Sequence, residues 1–517
     1  MAGFWRHGGA LLLCATLQAA NAHAQSTLVD AVKHGDRAAV RTMLQKKADV
    51  NAASADGTTA LIWATQLNDL ETARLLIGAG ANVRAANRYG MTPLQAAAIN
   101  GEPELITALL KAGADANAVL PEGESVLMTA ARTGRVEAVA ALIDGGARLD
   151  AQERWFGETP LIWAAAEDHG GAVELLVRRG ADVNGRSARS TLKNRRGGQS
   201  ILPLGFWTPM MYAARENALD AGRALIAAKA DLDLADPDGA TALVIAIINA
   251  NYDFAKLLLD AGADPNIVDT AAGMGPLYAA IDMHRLAVGH GRPNPHPSGA
   301  LDAVDIVRVL LERKADPNAK LKAAIMQRQH TAGDSTLAAG ATPLMRAAKS
   351  GDIAMVKLLL AGGADPTLTL PNKTTPVMLA AGLGWRDGSP AAPSYDQGPP
   401  EEAVETIKAL KAAGIDLNAT NDAGDTALHA AVGGRASEVI VRGLLELGAN
   451  PAQPNKRGQT ALAAAQASRK DIAPIVELLR AAAPATSGAP AIPAAAMPAG
   501  PAVSTPPATG TTPAAGR

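Results

Sequence analysis

The amino-acid sequence predicts an all-α solenoid of about twelve helix-turn-helix units with finger loops and four insertions. Two observations lead to this fold class. A threonine or serine suited to capping a helix recurs mostly every 33 or 34 residues. Each recurrence opens two short segments whose apolar residues are spaced as on one face of a helix. Two short helices cannot bury both of their apolar faces alone, so each unit needs neighbours.

The segment at 90–118, GMTPLQAAAINGEPELITALLKAGADANA, shows one unit. Thr92 can cap a helix, and Pro93 suits the first turn because that position needs no amide proton. The first helix is predicted to end at Gly101, which can adopt the left-handed conformation. A second helix, with leucine and isoleucine on one face, is predicted to end at Gly113. A finger-like loop with turn-forming Asp and Asn residues follows.

The capping position recurs along the chain. It is occupied by Thr59, Thr92, Ser125, Thr159, Thr208, Thr241, Thr342, Thr375, Thr426 and Thr460, with Gly275 in the same position between Thr241 and Thr342. The loop phrase also recurs, as GANV, GADA, GADV, GADP and GANP. The chain therefore resembles the ankyrin repeat, whose pattern of roughly 33 residues carries Gly-x-Thr-Pro-Leu-His-x-Ala-Ala and Gly-Ala-Asp-x-Asn.

The resemblance covers about residues 26–480. It implies a capping unit at 26–52, ten internal units and a last unit near 455–480. The family's histidine after Thr-Pro-Leu, expected to brace the loop of a neighbouring unit, occurs only as His429. In the other units this position holds Ile62, Gln95, Met128, Ile162, Met211, Val244, Tyr278, Met345 and Met378.

Residues 1–24 have the features of a secretory signal peptide. A basic start at Arg6 precedes an apolar run, and Ala22 and Ala24 form a small-residue cleavage site. The run is too short for a spanning helix, and the alternative is a retained amphipathic anchor. The only cysteine, Cys14, lies here, so a chain cleaved near Ala24 can form no disulfide. Together with the repeats, this resembles bacterial exported proteins, and we expect a periplasmic or secreted protein.

The chain is expected to divide into three parts. Residues 1–24 are the signal peptide, residues 25–480 the solenoid, and residues 481–517 a disordered tail rich in Pro and Ala. The tail is either a tether or proline-rich ligand, or a linker without a function of its own.

The formal net charge of −2 argues against a surface built for nucleic acid or anionic membrane. We therefore expect another protein as the partner. We expect no nucleic acid, no cofactor, no stable membrane insertion and a monomeric chain.

Four insertions interrupt the repeat, near 185–204, 284–300, 320–339 and 385–400. The first and third extend finger loops, and the other two lie between the helices of a unit. The first insertion carries only positive charges, at Arg186, Arg189, Lys193, Arg195 and Arg196. It either binds an anionic partner or is a loop kept soluble by its charge.

Aromatic residues make up only 3% of the chain, so their positions are informative. Six residues at or beside the predicted finger tips are Arg88, Tyr89, Trp155, Phe156, Phe206 and Trp207, and three in nearby groove positions are Glu158, Arg215 and Glu216. The resemblance implies that such positions vary and make the partner contacts, and large aromatic side chains are typical binding anchors. The alternative is that these rings pack onto neighbouring loops. For Trp63 and Trp163, inside predicted helices, we expect core packing.

No catalytic or phosphate-binding motif occurs in the sequence. Histidines spaced by six, at 284, 290 and 296, could bind a metal, but they lack an accompanying carboxylate pair or cysteine, and an ordinary loop explains them. An enzyme with a site built from the insertions would use these histidines together with His330.

These observations predict a non-enzymatic protein-protein interaction scaffold in the bacterial cell envelope, serving as an assembly or protective partner. Binding is expected through the concave groove, centred on the third to sixth units. Two alternatives remain: an exported effector that binds a host protein, and the enzyme with a site in the insertions.

Overall fold

The computed structural model describes residues 27–189, 205–285, 296–325, 334, 336–384, 398–468, 470 and 472–483. These ranges contain 24 α-helices in twelve consecutive pairs and no β-strand. Extended backbone pairing in them is limited to isolated bridges, such as Ala53 with Thr59. The prediction of an all-α solenoid is confirmed.

Each unit consists of a finger loop, an inner helix that begins at the capping position, and an outer helix. Units 1 to 6 contain α1 (Leu28–Lys33), α2 (Arg37–Gln45), α3 (Ala60–Gln66), α4 (Leu70–Gly78), α5 (Pro93–Asn100), α6 (Pro103–Lys111), α7 (Val126–Thr133), α8 (Val136–Asp144), α9 (Pro160–Ala166), α10 (Gly170–Arg178), α11 (Pro209–Glu216) and α12 (Leu219–Ala227). Units 7 to 12 contain α13 (Ala242–Ile248), α14 (Tyr252–Asp260), α15 (Pro276–His284), α16 (Ala303–Glu312), α17 (Pro343–Lys349), α18 (Ile353–Ala361), α19 (Pro376–Ala380), α20 (Pro400–Ala412), α21 (Ala427–Gly433), α22 (Glu438–Glu446), α23 (Ala461–Gln466) and α24 (Ala473–Ala482).

The recurring threonine or serine caps the inner helices. In α5, for example, the Thr92 hydroxyl accepts a hydrogen bond from the backbone N–H of Gln95 at 3.1 Å. Such a cap stabilises a helix by about 1 kcal/mol. Gly275 begins α15 without a side-chain cap. Gly101 ends α5 with φ 69°, the left-handed conformation expected from the sequence.

The core runs the length of the solenoid between the two layers of helices. The alanines of the inner helices are buried, and on α6 Leu105, Ile106 and Leu109 are buried. Each helix packs against its own partner and against the equivalent helices of adjacent units. The unit is thus stabilised mainly by its immediate neighbours.

Hydrogen bonds between loops hold adjacent units in register. The Asn117 amide donates to the Gly146 carbonyl at 3.0 Å and accepts from the Arg148 N–H at 2.9 Å. At the finger tips, the Arg154 N–H donates to the Glu122 carbonyl at 3.0 Å. These bonds fix the finger tips as a row along one edge of the solenoid.

The histidine brace is present where the sequence retains it. One ring nitrogen of His429, Nε2, lies 3.0 Å from the Gln459 carbonyl oxygen in the next unit. Its Nδ1 lies 2.9 Å from the Thr426 hydroxyl. In α5, Gln95 replaces this histidine, and its side chain hydrogen-bonds Thr129 of the next unit at 2.5 Å. The glutamine thus joins two units by a different contact, to a side chain on the next inner helix instead of a loop carbonyl.

The two insertions placed between helices follow α15 and α19. His284 is the last residue of α15, and Pro400 is the first of α20, so the insertions meet the helices at their ends. Trp63 and Trp163 both lie half-buried on inner helices. Trp63 packs against the core with Lys33 4.7 Å from its ring centroid, and Arg132 lies 5.4 Å from the ring centroid of Trp163.

Candidate functional site: the finger tips and groove of units 3 to 6

Exposed apolar side chains are concentrated in the first half of the solenoid. Among the described residues, the large exposed ones are Leu67, Tyr89, Ile99, Val119, Trp155, Phe156, Phe206 and Val439. All but Val439 belong to units 2 to 6. The aromatic members are 58% (Tyr89), 75% (Trp155), 63% (Phe156) and 43% (Phe206) exposed. Four of the predicted contact residues therefore present their rings to solvent.

A buried carboxylate shapes the finger tip of unit 5. Glu153 is 8% exposed and accepts hydrogen bonds from the backbone N–H groups of Trp155, Phe156 and Glu158 at 2.6, 2.7 and 3.0 Å. In unit 3, Asn87 bonds its tip in the same manner. The unit 5 tip is one residue longer, and the longer glutamate side chain spans it. Because hydrogen bonds from its backbone N–H groups to Glu153 hold the loop, the rings of Trp155 and Phe156 are available for other contacts.

The tip of unit 6 is held in a strained conformation. Phe206 has φ 62°, an unusual value for a bulky residue. Such strain costs about 1–3 kcal/mol and occurs preferentially at functional sites. Arg186 lies 4.7 Å from the centroid of the Phe206 ring, and it donates to the carbonyl oxygens of Phe206 and Ala235 at 2.8 and 3.0 Å. Arg186 therefore supports the tip on which Phe206 is displayed.

Trp207 is placed differently from its neighbour. It is half-buried, its Nε1 donates to Asp236 at 3.0 Å, and its ring meets Tyr212 edge-on at 5.5 Å. Arg215 lies 5.1 Å from the Tyr212 ring centroid and forms an ion pair with Glu216 at 2.6 Å. Trp207 thus agrees with the packing alternative, and it forms the floor of the groove beside the exposed tips.

Glu158 lies half-buried in this floor. Burial raises the pKa of its carboxyl group above the ordinary value, and the nearby Glu153 acts in the same direction. The adjacent Tyr212 hydroxyl also has a raised pKa, mainly because of its burial. Burial therefore favours the neutral form of Glu158.

The positive residues of the tips are partly described. Arg88 and Arg189 are exposed, and Arg88 lies 4.7 Å from the ring centroid of Tyr89. Arg189 makes an isolated backbone bridge to Gly205. Arg154, which the sequence analysis did not select, is exposed beside Trp155. Three further residues of the basic insertion, Lys193, Arg195 and Arg196, lie outside the described residues.

The groove of units 8 and 9 is covered by the chain itself. Every residue from 341 to 350 is buried, including Arg346 and Lys349 on the inner helix α17. Three apolar residues of the long finger loop pack against inner-helix residues of units 8 to 10: Leu321, Ile325 and Leu337 form one cluster with Tyr278, Met345 and Leu379. The described residues of the third insertion therefore pack into the groove of units 8 and 9, whereas the groove in the first half of the solenoid is open.

Buried ion pairs accompany this cover. The Arg346 Nε donates to the Asp282 carboxylate at 2.6 Å, and Lys349 pairs with Asp334 of the loop. Burial lowers the pKa of Lys349, although the nearby Asp334 opposes this effect. This cluster was not predicted from the sequence. Its signal was charged residues at inner-helix positions that hold small or apolar residues in most other units.

The histidines do not assemble into a site within the described part of the chain. His284 Nδ1 lies 2.5 Å from a carboxylate oxygen of Asp352, which also caps α18. His296 is exposed, and His290 and His330 lie outside the described residues. The ranges that the structure describes contain no group of three or more His, Cys, Asp and Glu residues able to hold a metal ion. In the same ranges, every helix is too short or too polar to cross a bilayer.

The helix pairs, the row of finger tips and the open groove define a repeat scaffold for protein-protein interaction. A family model of three ankyrin repeats matches residues 28–119, 103–187, 193–269 and 401–485, and a single-repeat model matches residues 339–369. The chain belongs to the ankyrin-repeat family. Arrays of this family are in general binding scaffolds without enzymatic activity.

Curated relatives share parts of this array. The chain is 31% identical to the E3 ubiquitin-protein ligase KEG of Arabidopsis thaliana over 302 residues, which are 53% of this chain and 16% of the relative. It is 30% identical to the mitochondrial disaggregase of Homo sapiens over 30% of this chain and 22% of the relative. It is 32% identical to the B-cell lymphoma 3 protein homolog of Mus musculus over 43% of this chain and 40% of the relative. The matches thus span less than half of each relative.

Among solved structures, the human ASB11 ankyrin repeat domain is similar to 47% of this chain over its own full length. The sequence identity is 24% and the TM-score is 0.39.

Proposed function

We propose that this protein is a non-enzymatic scaffold of the bacterial cell envelope, which binds another protein through the finger tips and concave groove of units 3 to 6. It would serve as an assembly factor or protective partner. The observation that carries the proposal is the exposure of Tyr89, Trp155, Phe156 and Phe206 on loops that are held by backbone hydrogen bonds.

Large exposed rings are unfavourable on a surface that meets only water, and clustered apolar groups of this kind mark interaction sites. Aromatic side chains bury a large area with few rotatable bonds, which is why they dominate the energetics of interfaces. Trp155 and Phe156 support this view because Glu153 holds the loop independently of their rings. The groove of units 8 and 9, by contrast, is occupied by residues of the chain's own finger loop.

The test is a capture experiment with envelope extract. The full chain, a Trp155→Ala/Phe156→Ala variant and a Val439→Ala control are immobilised in equal amounts after circular dichroism has verified their folding. Val439 is the exposed apolar residue of α22, far along the solenoid from unit 5. We expect one protein to be retained by the native chain and the control and lost from the double variant.

Equal retention of that protein by all three baits would show that binding lies elsewhere on the chain. It would contradict the assignment of the site to the unit 5 tip.

The proposed location in the cell envelope is based on the predicted signal peptide at residues 1–24, which lie outside the described residues. Fractionation of cells that produce the protein would distinguish a periplasmic protein from a secreted one. Recovery of the shortened chain in the periplasm agrees with an envelope partner. Recovery in the culture medium favours an effector that uses the same surface on a host protein, and an uncleaved chain in the cytoplasm contradicts both.

A further inference from the structure

The finger tips of units 3, 5 and 6 combine exposed aromatic rings with unneutralised positive charge. Arg88 precedes Tyr89, Arg154 precedes Trp155, and Arg189 belongs to the same unit as Phe206. All three arginines are exposed. In the part of the chain that the structure describes, none of the three forms an ion pair, whereas Arg186 is held by two backbone carbonyls.

Most carboxylates at the tips of units 4 and 5 are already engaged. Glu153 is buried and accepts three backbone hydrogen bonds. Glu124 accepts from the Thr129 hydroxyl at 2.5 Å and lies 3.7 Å from Arg132. Glu158 is half-buried in an environment that disfavours its charge. Glu122 at the tip of unit 4 is exposed, as is Asp150 earlier in the loop of unit 5. The strip is therefore locally positive on a chain whose formal net charge is −2.

The tips on either side of this strip are acidic. The finger loop of unit 2 has Asp56 at its tip, and that of unit 7 has Asp236 and Asp238. Positive residues at other tips, such as Lys456 and Arg457 in unit 12, have no aromatic residue in the same loop. A uniformly basic edge would point to any polyanion. Here each exposed arginine shares a finger loop with an exposed ring. This combination favours instead a ligand that offers both carboxylates and apolar side chains.

We propose that the finger tips of units 3 to 6 bind an extended, acidic segment of the partner protein, with apolar side chains between its carboxylates. This inference rests on the proposed function. The rings would contact the apolar side chains, and Arg88, Arg154 and Arg189 would pair with the carboxylates. Adjacent units are about 8–10 Å apart, the usual distance between packed helices. Three such intervals correspond to roughly eight residues of extended chain.

The test uses a phage-displayed library of random 12-residue peptides, selected on the full chain. We expect the enriched peptides to carry net negative charge and at least two large apolar residues. A synthetic copy of the most enriched peptide should bind Arg88→Glu/Arg154→Glu at least ten-fold more weakly. The matched control is Arg74→Glu/Arg178→Glu, which makes the same charge change on the outer helices α4 and α10. It should change the affinity less than two-fold.

Enrichment of neutral or basic peptides, or of none, would overturn the inference. So would an equal loss of affinity in the two arginine variants. The capture experiment with Trp155→Ala/Phe156→Ala separates the two failures. Suppose that this variant fails to retain the envelope protein while the selected peptides show no acidic preference. The proposed function as a binding scaffold is then supported, and the proposal of an acidic ligand segment is wrong.

Discussion

Units 3 to 6 and units 8 to 9 are built from the same repeat, yet their grooves differ. In units 3 to 6 the inner helices face an open groove, and Arg215 on α11 is 40% exposed. In units 8 and 9 a finger loop lies across the inner helices, and the side chain of Arg346 on α17 is 1% exposed. The comparison shows that one scaffold can present a surface to a partner in one place and occupy it with its own chain in another.

The largest expected effect comes from removing a buried charge in the covered groove. Arg346→Ala leaves the Asp282 carboxylate buried without this partner and should lower the free energy of unfolding by about 3–5 kcal/mol. Arg215→Ala, in the open groove, should lower it by at most about 1 kcal/mol because that ion pair is exposed. Urea denaturation measures both. Equal effects would mean that the two grooves are solvated alike.

A core substitution in the open region tests whether the two regions unfold separately. Leu109→Ala on α6 should lower stability by roughly 2–5 kcal/mol, because its side chain is fully buried. Since the helices of each unit pack mainly against those of adjacent units, unfolding should split into two transitions, with units 8 and 9 persisting in the second. A calorimetric scan that shows one cooperative loss of the whole array would count against this separation.

A smaller effect is expected at the tip of unit 5. Glu153→Ala removes the carboxylate that accepts hydrogen bonds from three backbone N–H groups. Water can partly replace this acceptor, so the free energy of unfolding should fall by only about 1–2 kcal/mol. Partner affinity should fall as well, because the rings of Trp155 and Phe156 lose their fixed positions. Binding measured by titration calorimetry beside Glu122→Ala, an exposed tip residue, provides the check. Unchanged affinity in the Glu153 variant would show that loop order is irrelevant.

The smallest effect is a pH dependence of the groove floor. Because burial raises the pKa of Glu158, the folded chain holds this proton more tightly than the unfolded chain. Ionised Glu158 therefore costs stability at neutral pH, and the cost is relieved as the pH falls towards the ordinary value of 4.5. Glu158→Gln should raise the free energy of unfolding at pH 7 by about 0.5 kcal/mol or less. The free energy of unfolding of this variant should also change less as the pH falls from 7 towards 4.5. A lower free energy of unfolding for Glu158→Gln than for the native chain at pH 7 would contradict the expected direction.

The sequence predicted the fold because its signals are local. The threonine cap, the proline at the first turn and the glycine at the helix end each act within one unit, and the structure confirms the helix pairs that they delimit. The exposed position of Trp155 also followed from its place in a finger loop.

The contacts that shape the two grooves were not predicted, because they join residues far apart in the chain. The Trp207 ring nitrogen bonds Asp236 of the next unit, 29 residues away, and Arg346 pairs with Asp282 across 64 residues. The length of the third insertion was visible in the sequence, but the packing of its residues Leu321, Ile325 and Leu337 depends on an apolar cluster drawn from several units.

Hydroxyl-radical footprinting of the free protein and of its complex with the captured partner tests the central claim most directly. In the free protein, Trp155, Phe156 and Tyr89 should be oxidised rapidly, and Tyr278 and Met345 slowly, because the first three are exposed and the other two are buried. In the complex, the three exposed rings should become protected while Val439 keeps its rate. Protection confined to residues outside units 3 to 6, or rapid oxidation of Met345 in the free protein, would contradict the account.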